Sequence, residues 1–279
     1  MVKDKTDLSE ARKEIDEVDL KILRLLMRRA EIVDEVRTAK LATNTVAYRP
    51  GREAQVLRRL AVLHKGNFPL AALIRIWREI MAASVAMQQD FSCAFCDFEA
   101  GGAEALVKDN FGVMTQMSKY ASPDEVIRAV KNGECSVGLL PKPIQNERRP
   151  WWQHFYFDLE HELRICGSAF SGSNFSSPEA LIIGKVPPEE TGADSTFFVL
   201  EHDRSFEELE AGKIFGEPLM DCVSVAGPTI GGDSAHFSLL KMKGFYLEDS
   251  RFGKPQLKEL IGLTGCKCIG AAPLGILEK

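Results

Sequence analysis

The stretch LSEARKEIDEVDLKILRLLMRRAEIVDEVRTAK, Leu8 to Lys40, reads as one long helix. Apolar residues recur at alternating spacings of three and four: Leu8, Ala11, Ile15, Val18, Ile22, Leu25, then Ile32 and Val36. That is the period of a helix that buries one stripe. The position that would complete the series holds Arg29. A second row at a spacing of seven runs Arg12, Asp19, Leu26, Val33, Lys40. Three cations therefore sit in or beside a stripe built for burial, where unpaired charge is costly. Two arrangements satisfy them. Either Asp19, Glu53 or another carboxylate pairs with them internally, or they line a pocket for a small, multiply anionic ligand.

Helix geometry limits the second arrangement. Arg29 and Lys40 are three turns apart on one face, so they can grip opposite ends of a small molecule. Arg12 and Arg29 are separated by roughly 25 Å at 1.5 Å per residue, too far for one compact ligand on one helix. If Arg12 takes part, a second copy of the chain supplies it. A helix of about 50 Å with an apolar seam also needs a partner to cover it. Both arguments lead to a homodimer through the long helix.

The 279 residues allow two domains, each with its own core. The longest apolar runs fall well short of a membrane span, and Met1 opens a polar, charged stretch unlike a signal peptide. Seven scattered cysteines fit a reducing cytoplasm better than a disulfide framework. Residues 1–90 hold 17 Lys and Arg against 13 Asp and Glu, whereas 91–279 hold 18 against 27. The first part suits an anionic ligand, and the acidic remainder argues against nucleic acid. Five dispersed histidines show neither metal-ligand nor triad spacing.

Asp7 or Ser9 can cap the first helix, which fades at Ala42–Thr45. Arg49 precedes Pro50, a combination that favours an extended residue followed by a first helical turn. The second helix carries Glu53, Val56, Leu57, Leu60 and Leu63 on one face, with Arg52 near its start. There the helix dipole disfavours a cation unless an anion meets it. A third helix, from Pro69 to about Gln89, has the stripe Leu70, Leu73, Trp77, Ile80, Met81, Ser84, Met87 and Gln88. Ser84 and Gln88 are polar intrusions one turn apart on that face.

A second, α/β domain starts near Phe91. β-like and helical runs alternate through Phe91–Cys96, Ala103–Asn110 and a helix opened by Ser122-Pro123-Asp124-Glu125, which combines an N-cap, a first-turn proline and a capping-box glutamate. Cys135–Leu140, Leu163–Cys166, Ala180–Ile183 and Phe197–Leu200 are strand candidates. The Cys93/Cys96 and Cys266/Cys268 pairs lack zinc-site spacing and read as strand cysteines. Ser168–Ser177 and Gly227–Ser234, rich in Gly and Ser, read as surface loops, with a ligand loop as the alternative.

ARKEIDEVDLKILRLLMRRAEIVDEVRTAK, YRPGREAQVL and IWREIMAASVAMQQ together resemble the all-helical chorismate mutases of the AroQ class. The resemblance implies a three-helix domain over residues 1–90, an intertwined homodimer, and chorismate as the substrate, with no cofactor or metal. It implies that Arg29 and the partner's Arg12 hold the two substrate carboxylates, with Arg52 assisting. It also implies that Lys40 and Gln88 donate to the ether oxygen, that Glu53 accepts from the ring hydroxyl, and that Ser84 lines the pocket. Arg49 stands at the substrate-binding end where some members carry an aspartate. Because position 88 is an amide, no acidic pH optimum is expected. Isochorismate pyruvate lyases share this fold and much of the pocket.

Residues 91–279 resemble a degenerate prephenate dehydratase domain, a two-lobed fold similar to periplasmic binding proteins. SPDEVIRAVKNGECSVGLLP carries the resemblance most clearly and DSTFFVL second. The family's Thr-Arg-Phe reads Thr196-Phe197-Phe198 here, and Pro141 is followed by Lys142-Pro143-Ile144-Gln145 instead of Glu-Asn-Ser. No phenylalanine-sensing ACT module is recognisable. The expectation is a cytoplasmic chorismate mutase whose second domain is catalytically silent. A bifunctional mutase–dehydratase and a non-catalytic partner of another pathway enzyme are the alternatives.

Overall fold

The computed structural model describes residues 8–41, 47–99, 101–158, 160, 162–171, 179–203, 213–216, 219–230, 233–246, 259 and 261–276. They divide into two compact units. The first comprises residues up to Ala47 together with Ser84–Asp90, and the second comprises Tyr48–Ala83 with Phe91 onward. The sequence reading divided the chain into 1–90 and 91–279, so the compact units split the helical segment differently.

In the first unit, α1 (Leu8–Leu41) is a single 34-residue helix. Its apolar seam faces solvent: Leu8, Ile15, Val18, Ile22, Leu25, Ile32 and Val36 are all exposed, Leu25 by 69%. The half-buried residues of its central and C-terminal turns form a neighbouring stripe, Leu26, Arg29, Ala30, Val33 and Arg37. Arg28–Glu31 and Arg37–Asp34 ion pairs, both at i,i+3, decorate the surface and add little to stability there.

In the second unit, α2 (Pro50–Leu63) begins as expected, with Arg49 extended and Pro50 in the first turn. It ends where the His64 N–H bonds back to the Leu60 carbonyl at 2.8 Å. Its start lies so close to the 189–191 loop that a Cβ on Gly51 would stand 2.7 Å from that of Glu189. The third helix, α3 (Leu70–Ala86), belongs to this unit up to Ala83. Leu57 of α2 and Ile74 and Met81 of α3 are buried in a cluster with Phe170 and Ile276. The buried stripe of α3 is Ile74, Arg78, Met81 and Val85, one position round from the expected Leu73, Trp77 and Ile80. Arg78 can occupy it because backbone carbonyls of Asp109 and Phe170 accept from its guanidinium.

The rest of this unit is a mixed α/β domain. Its strands are β1 (Ser92–Cys96), β2 (Gln116–Tyr120), β3 (Val137–Pro141), β4 (Arg164–Ala169), β5 (Ala180–Gly184), β6 (Asp194–His202), β7 (Leu219–Ile230), β8 (Asp233–Lys243) and β9 (Leu263–Pro273). Among the described residues they form one sheet in the order β2-β1-β3-β5-β4-β9-β6-β8-β7. In one half, β1 pairs in parallel with β2 and β3, and helices α4 (Ala103–Phe111), α5 (Pro123–Lys131) and α6 (Gln153–Phe157) accompany the strands. The other half, β9-β6-β8-β7, is antiparallel. The two halves meet through one parallel pairing, Ile165 with Gly270.

Local signals act as the sequence dictates. Ser122 Oγ accepts from the Glu125 N–H at 3.3 Å, and the Glu125 carboxylate accepts from the Ala121 N–H at 3.0 Å. Residues of the antiparallel half alternate between two cores. Phe197, Val199, Val223 and Leu239 face one, and Phe198, Leu200, Cys222 and Leu240 face the other. Gly227–Ile230 and Asp233–Ser234, read from the sequence as loop, belong to β7 and β8, with Thr229 opposite Ser234 and Ile230 opposite Asp233; the two residues between them lie outside the described residues. Most of Ser168–Ser177 lies outside the described residues. The seven cysteines form no disulfide with one another, and burial pushes the Cys96 thiol up to about 11, as suits inert strand thiols.

Candidate functional site

The helical segment supplies two groups of polar residues, one in each compact unit. In the first unit, Arg29 of α1 reaches Ser84 near the end of α3, and its guanidinium donates to the serine hydroxyl. Ser84 is only 8% exposed, and burial pushes the Arg29 pKa down. A cation in that position is attracted to any anion that can enter. One turn on, the Gln88 side-chain amide donates to the Ser84 carbonyl at 2.8 Å. An amide nitrogen carries two hydrogens, so this bond leaves one for another acceptor. Gln88 Oε1 is buried and has no hydrogen-bond partner among the described residues, a costly state that a ligand donor would relieve. Gln89 accepts from the Ala47 N–H at 3.0 Å and ties the chain entering α2 to the end of α3.

Arg29 of α1, Ser84 of α3 and Gln88 in the turn that follows α3 thus come together as three sequence-read positions. Arg12 is exposed near the start of α1. Lys40 lies in α1, but its side chain is outside the described residues.

In the second unit, Arg49 is held by Glu189, with Nε and Nη2 at 2.7 and 2.5 Å from the same carboxylate oxygen. Arg52 is exposed. Glu53 lines a cavity of about 50 Å³ with Tyr48, Arg78, Asn110, Phe111 and Phe170. At roughly 10–15 Å³ of such volume per water, this holds a few waters. Burial pushes the Glu53 carboxyl up to about 7, while the Arg78 guanidinium pulls it down.

Sequence reasoning missed Tyr48, Arg78 and Arg58. Arg58 Nη1 donates to Thr191 Oγ1, and its Nη2 donates to the carbonyls of Ala193 and Leu274, each at 2.7 Å. Reading α3 as the row 74, 78, 81, 85 exposes an arginine interrupting an apolar stripe, the same signal that singled out Arg29. Arg58 carried no such mark.

In the α/β domain, Thr196 Oγ1 donates to the Gly244 carbonyl at 2.8 Å and accepts from the Tyr246 N–H at 3.0 Å. Phe197 is buried beside an apolar pocket lined by Leu181, Val223 and Leu239 and edged by Lys142, Asp221 and Lys241. Lys142 and Asp221 are 3.7 Å apart.

Residues 11–89 match the family described as chorismate mutase type II. The chain is 32% identical over 170 residues to a bifunctional chorismate mutase/prephenate dehydratase of Pseudomonas aeruginosa, covering 59% of this chain and 46% of that protein. It is 33% identical over 166 residues to the protein of the same description from Stutzerimonas stutzeri, covering 57% and 45%. The chain therefore spans a little under half the length of these curated relatives. A prephenate dehydratase structure from Streptococcus mutans superposes with a TM-score of 0.43 at 13% identity, over 66% of this chain and 98% of that one. No helix among the described residues is long and apolar enough to cross a membrane.

Proposed function

We propose that this chain is a cytoplasmic chorismate mutase, an isomerase that converts chorismate to prephenate by a Claisen rearrangement in the synthesis of aromatic amino acids. The observation that carries the reading is the meeting of Arg29, Ser84 and Gln88 within a segment that matches the chorismate mutase type II family. The rearrangement is pericyclic and needs no nucleophile, metal or proton shuttle. It is accelerated by holding the flexible dianion in its reactive chair, and by donors placed where charge grows on the ether oxygen. Arg29 grips one carboxylate by bidentate pairing. The second N–H of Gln88 and the Lys40 ammonium donate to the ether oxygen. Gln88 Oε1 accepts from the substrate's hydroxyl.

The active form in this proposal is a homodimer. The exposed seam of α1 is the kind of apolar surface that marks an interaction site, and its three–four spacing suits a second copy of itself. The partner's Arg12 then closes the site from the far end. Arg49 and Glu53 are left out of the catalytic set, because one is held by Glu189 and the other faces the Arg78 cavity. Arg52, exposed at the start of α2, assists at the carboxylate end.

The α/β domain in this reading has no dehydratase activity. At Thr196-Phe197-Phe198 the hydroxyl is tied to backbone on both sides, and the neighbouring position offers a buried phenyl ring. The test is the loss of chorismate absorbance on adding the purified full chain, with product identification. Prephenate as the sole product supports the reading. No turnover refutes the mutase, and phenylpyruvate formed from prephenate refutes the silent domain.

A further inference from the structure

Two glutamines stand side by side after the third helix, Gln88 and Gln89, and only the first has a part in the proposed rearrangement. Because α3 ends at Ala86, both belong to the turn that follows it. That turn is tight. The Gln88 N–H donates to the Val85 carbonyl at 2.9 Å, and the Gln89 N–H shares the same oxygen at 3.0 Å, a bifurcation common at helix ends. The Gln88 side chain then donates to the Ser84 carbonyl at 2.8 Å. In a continuing α-helix that carbonyl would receive the Gln88 backbone N–H instead. Where the helix stops therefore decides where the Gln88 amide lies.

A helix end frays unless a group from elsewhere holds it. Here Gln89 Oε1 accepts from the Ala47 N–H at 3.0 Å, which fastens the turn to a residue 42 positions earlier in the chain. Ala47 and Ser84–Asp90 lie in the same compact unit. Gln88 Oε1 is buried and has no hydrogen-bond partner among the described residues, so the amide is fixed through its nitrogen and through the turn that carries it.

We propose that Gln89 is a positioning residue of the mutase site: by clasping the Ala47 N–H it holds the turn that aims the Gln88 amide at the substrate.

This inference rests on the mutase reading, in which Gln88 donates to the ether oxygen. Gln89 touches no reacting atom and acts through its neighbour. The effect is steep, because a donor misplaced by about 1 Å can cost on the order of 10²-fold in rate. Loss of the clasp loosens the turn without unfolding α3, since Ser84 and Val85 stay buried ahead of it. The clasp requires an acceptor at position 89. A carboxylate supplies one and an alkyl side chain does not, so two substitutions of similar size separate the role from mere packing.

The test is a double-variant cycle in the full chain. Gln89→Leu is expected to lower kcat for chorismate about tenfold, with KM changed less than about twofold. Gln89→Glu should stay within about threefold of the unaltered protein. In a Gln88→Ala background, Gln89→Leu should cost less than about twofold, because the group that it positions is gone. An equal fall in both backgrounds overturns the proposal. So do a Gln89→Glu chain as slow as Gln89→Leu, a change confined to KM, and a Gln89→Leu chain of normal rate. A second measurement needs no substrate: the side-chain amide hydrogens of Gln88, followed by NMR. The hydrogen held by the Ser84 carbonyl should resonate away from its position in an exposed glutamine, and return toward that position in Gln89→Leu. Identical spectra for this amide in the two chains overturn the proposal whatever the rates. No turnover by the unaltered chain would sink the mutase reading, and the NMR comparison then decides by itself whether Gln89 sets the place of Gln88.

Discussion

Helices α1 and α2 lie in the same family-matched segment and have comparable amphipathic patterns, yet they meet opposite fates. The apolar face of α2 is covered within its own chain over its first three turns, with Leu57 4% exposed against Ile74, Phe170 and Ile276 and Val56 and Leu60 half-buried, and only Leu63 at its end, 66% exposed, is left out. That of α1 is bare, with Leu25 69% exposed. Periodicity alone says that a face must be buried, without saying by what. The difference between the helices is one of partners. The companions of α2 lie as far along the chain as Ile276, whereas no described residue covers the seam of α1.

The sharpest way to break this comparison is to remove the cation beside the bare seam. Arg29→Ala is expected to lower kcat/KM for chorismate by roughly 10²–10³-fold while leaving helical circular dichroism unchanged. Mixing Arg12→Ala chains with Arg29→Ala chains should regenerate one working site per mixed dimer. Near-normal rates in the single variant, or no recovery in purified mixed dimers, would sink the shared site. The covered face should respond differently. Ile74→Ala opens a cavity between α3 and the α/β domain and is expected to cost about 3 kcal/mol in urea denaturation.

On α1, Leu25→Asp should leave the stability of the isolated chain within about 0.5 kcal/mol but weaken self-association by about 30-fold, ~2 kcal/mol, in sedimentation equilibrium. If Leu25→Asp destabilised the chain as much as Ile74→Ala, the two faces would not differ as described. The smallest effect sets the scale for a purely local loss. Ser122→Ala, which removes the cap of α5, should cost about 1 kcal/mol without altering turnover of chorismate.

Helices α1 to α5, the Ser122 cap, and strands β1 and β3 to β6 were legible because each rests on a signal within a few residues. The short helix α6 and strands β2, β7, β8 and β9 were not. LMDCVSVAGPTI contains a glycine and a proline that read as a loop. β7, however, is an edge strand, and its register slips between Ala226 and Thr229, the bulge in which Gly227 and Pro228 fall. At the site, Arg29, Ser84 and Gln88 were readable as polar intrusions on apolar stripes. Glu53 was readable as a residue of interest but not in its setting. Arg78, from another helix, and Tyr48 surround it, and the carbonyls that make a buried arginine tolerable belong to Asp109 and Phe170. Such partners are fixed by tertiary packing, which no spacing rule contains.

Arg58 ties α2 to Leu274, a carbonyl 216 residues further along the chain. On a ribosome adding about 5–20 residues per second, roughly 10–40 seconds separate the emergence of donor and acceptor. During that interval α2 is an adhesive ribbon without its final anchor. High contact order of this kind slows maturation and favours off-pathway clumping. Yield from a cell should therefore depend on chaperone supply and growth temperature more than the stability of the finished protein would suggest.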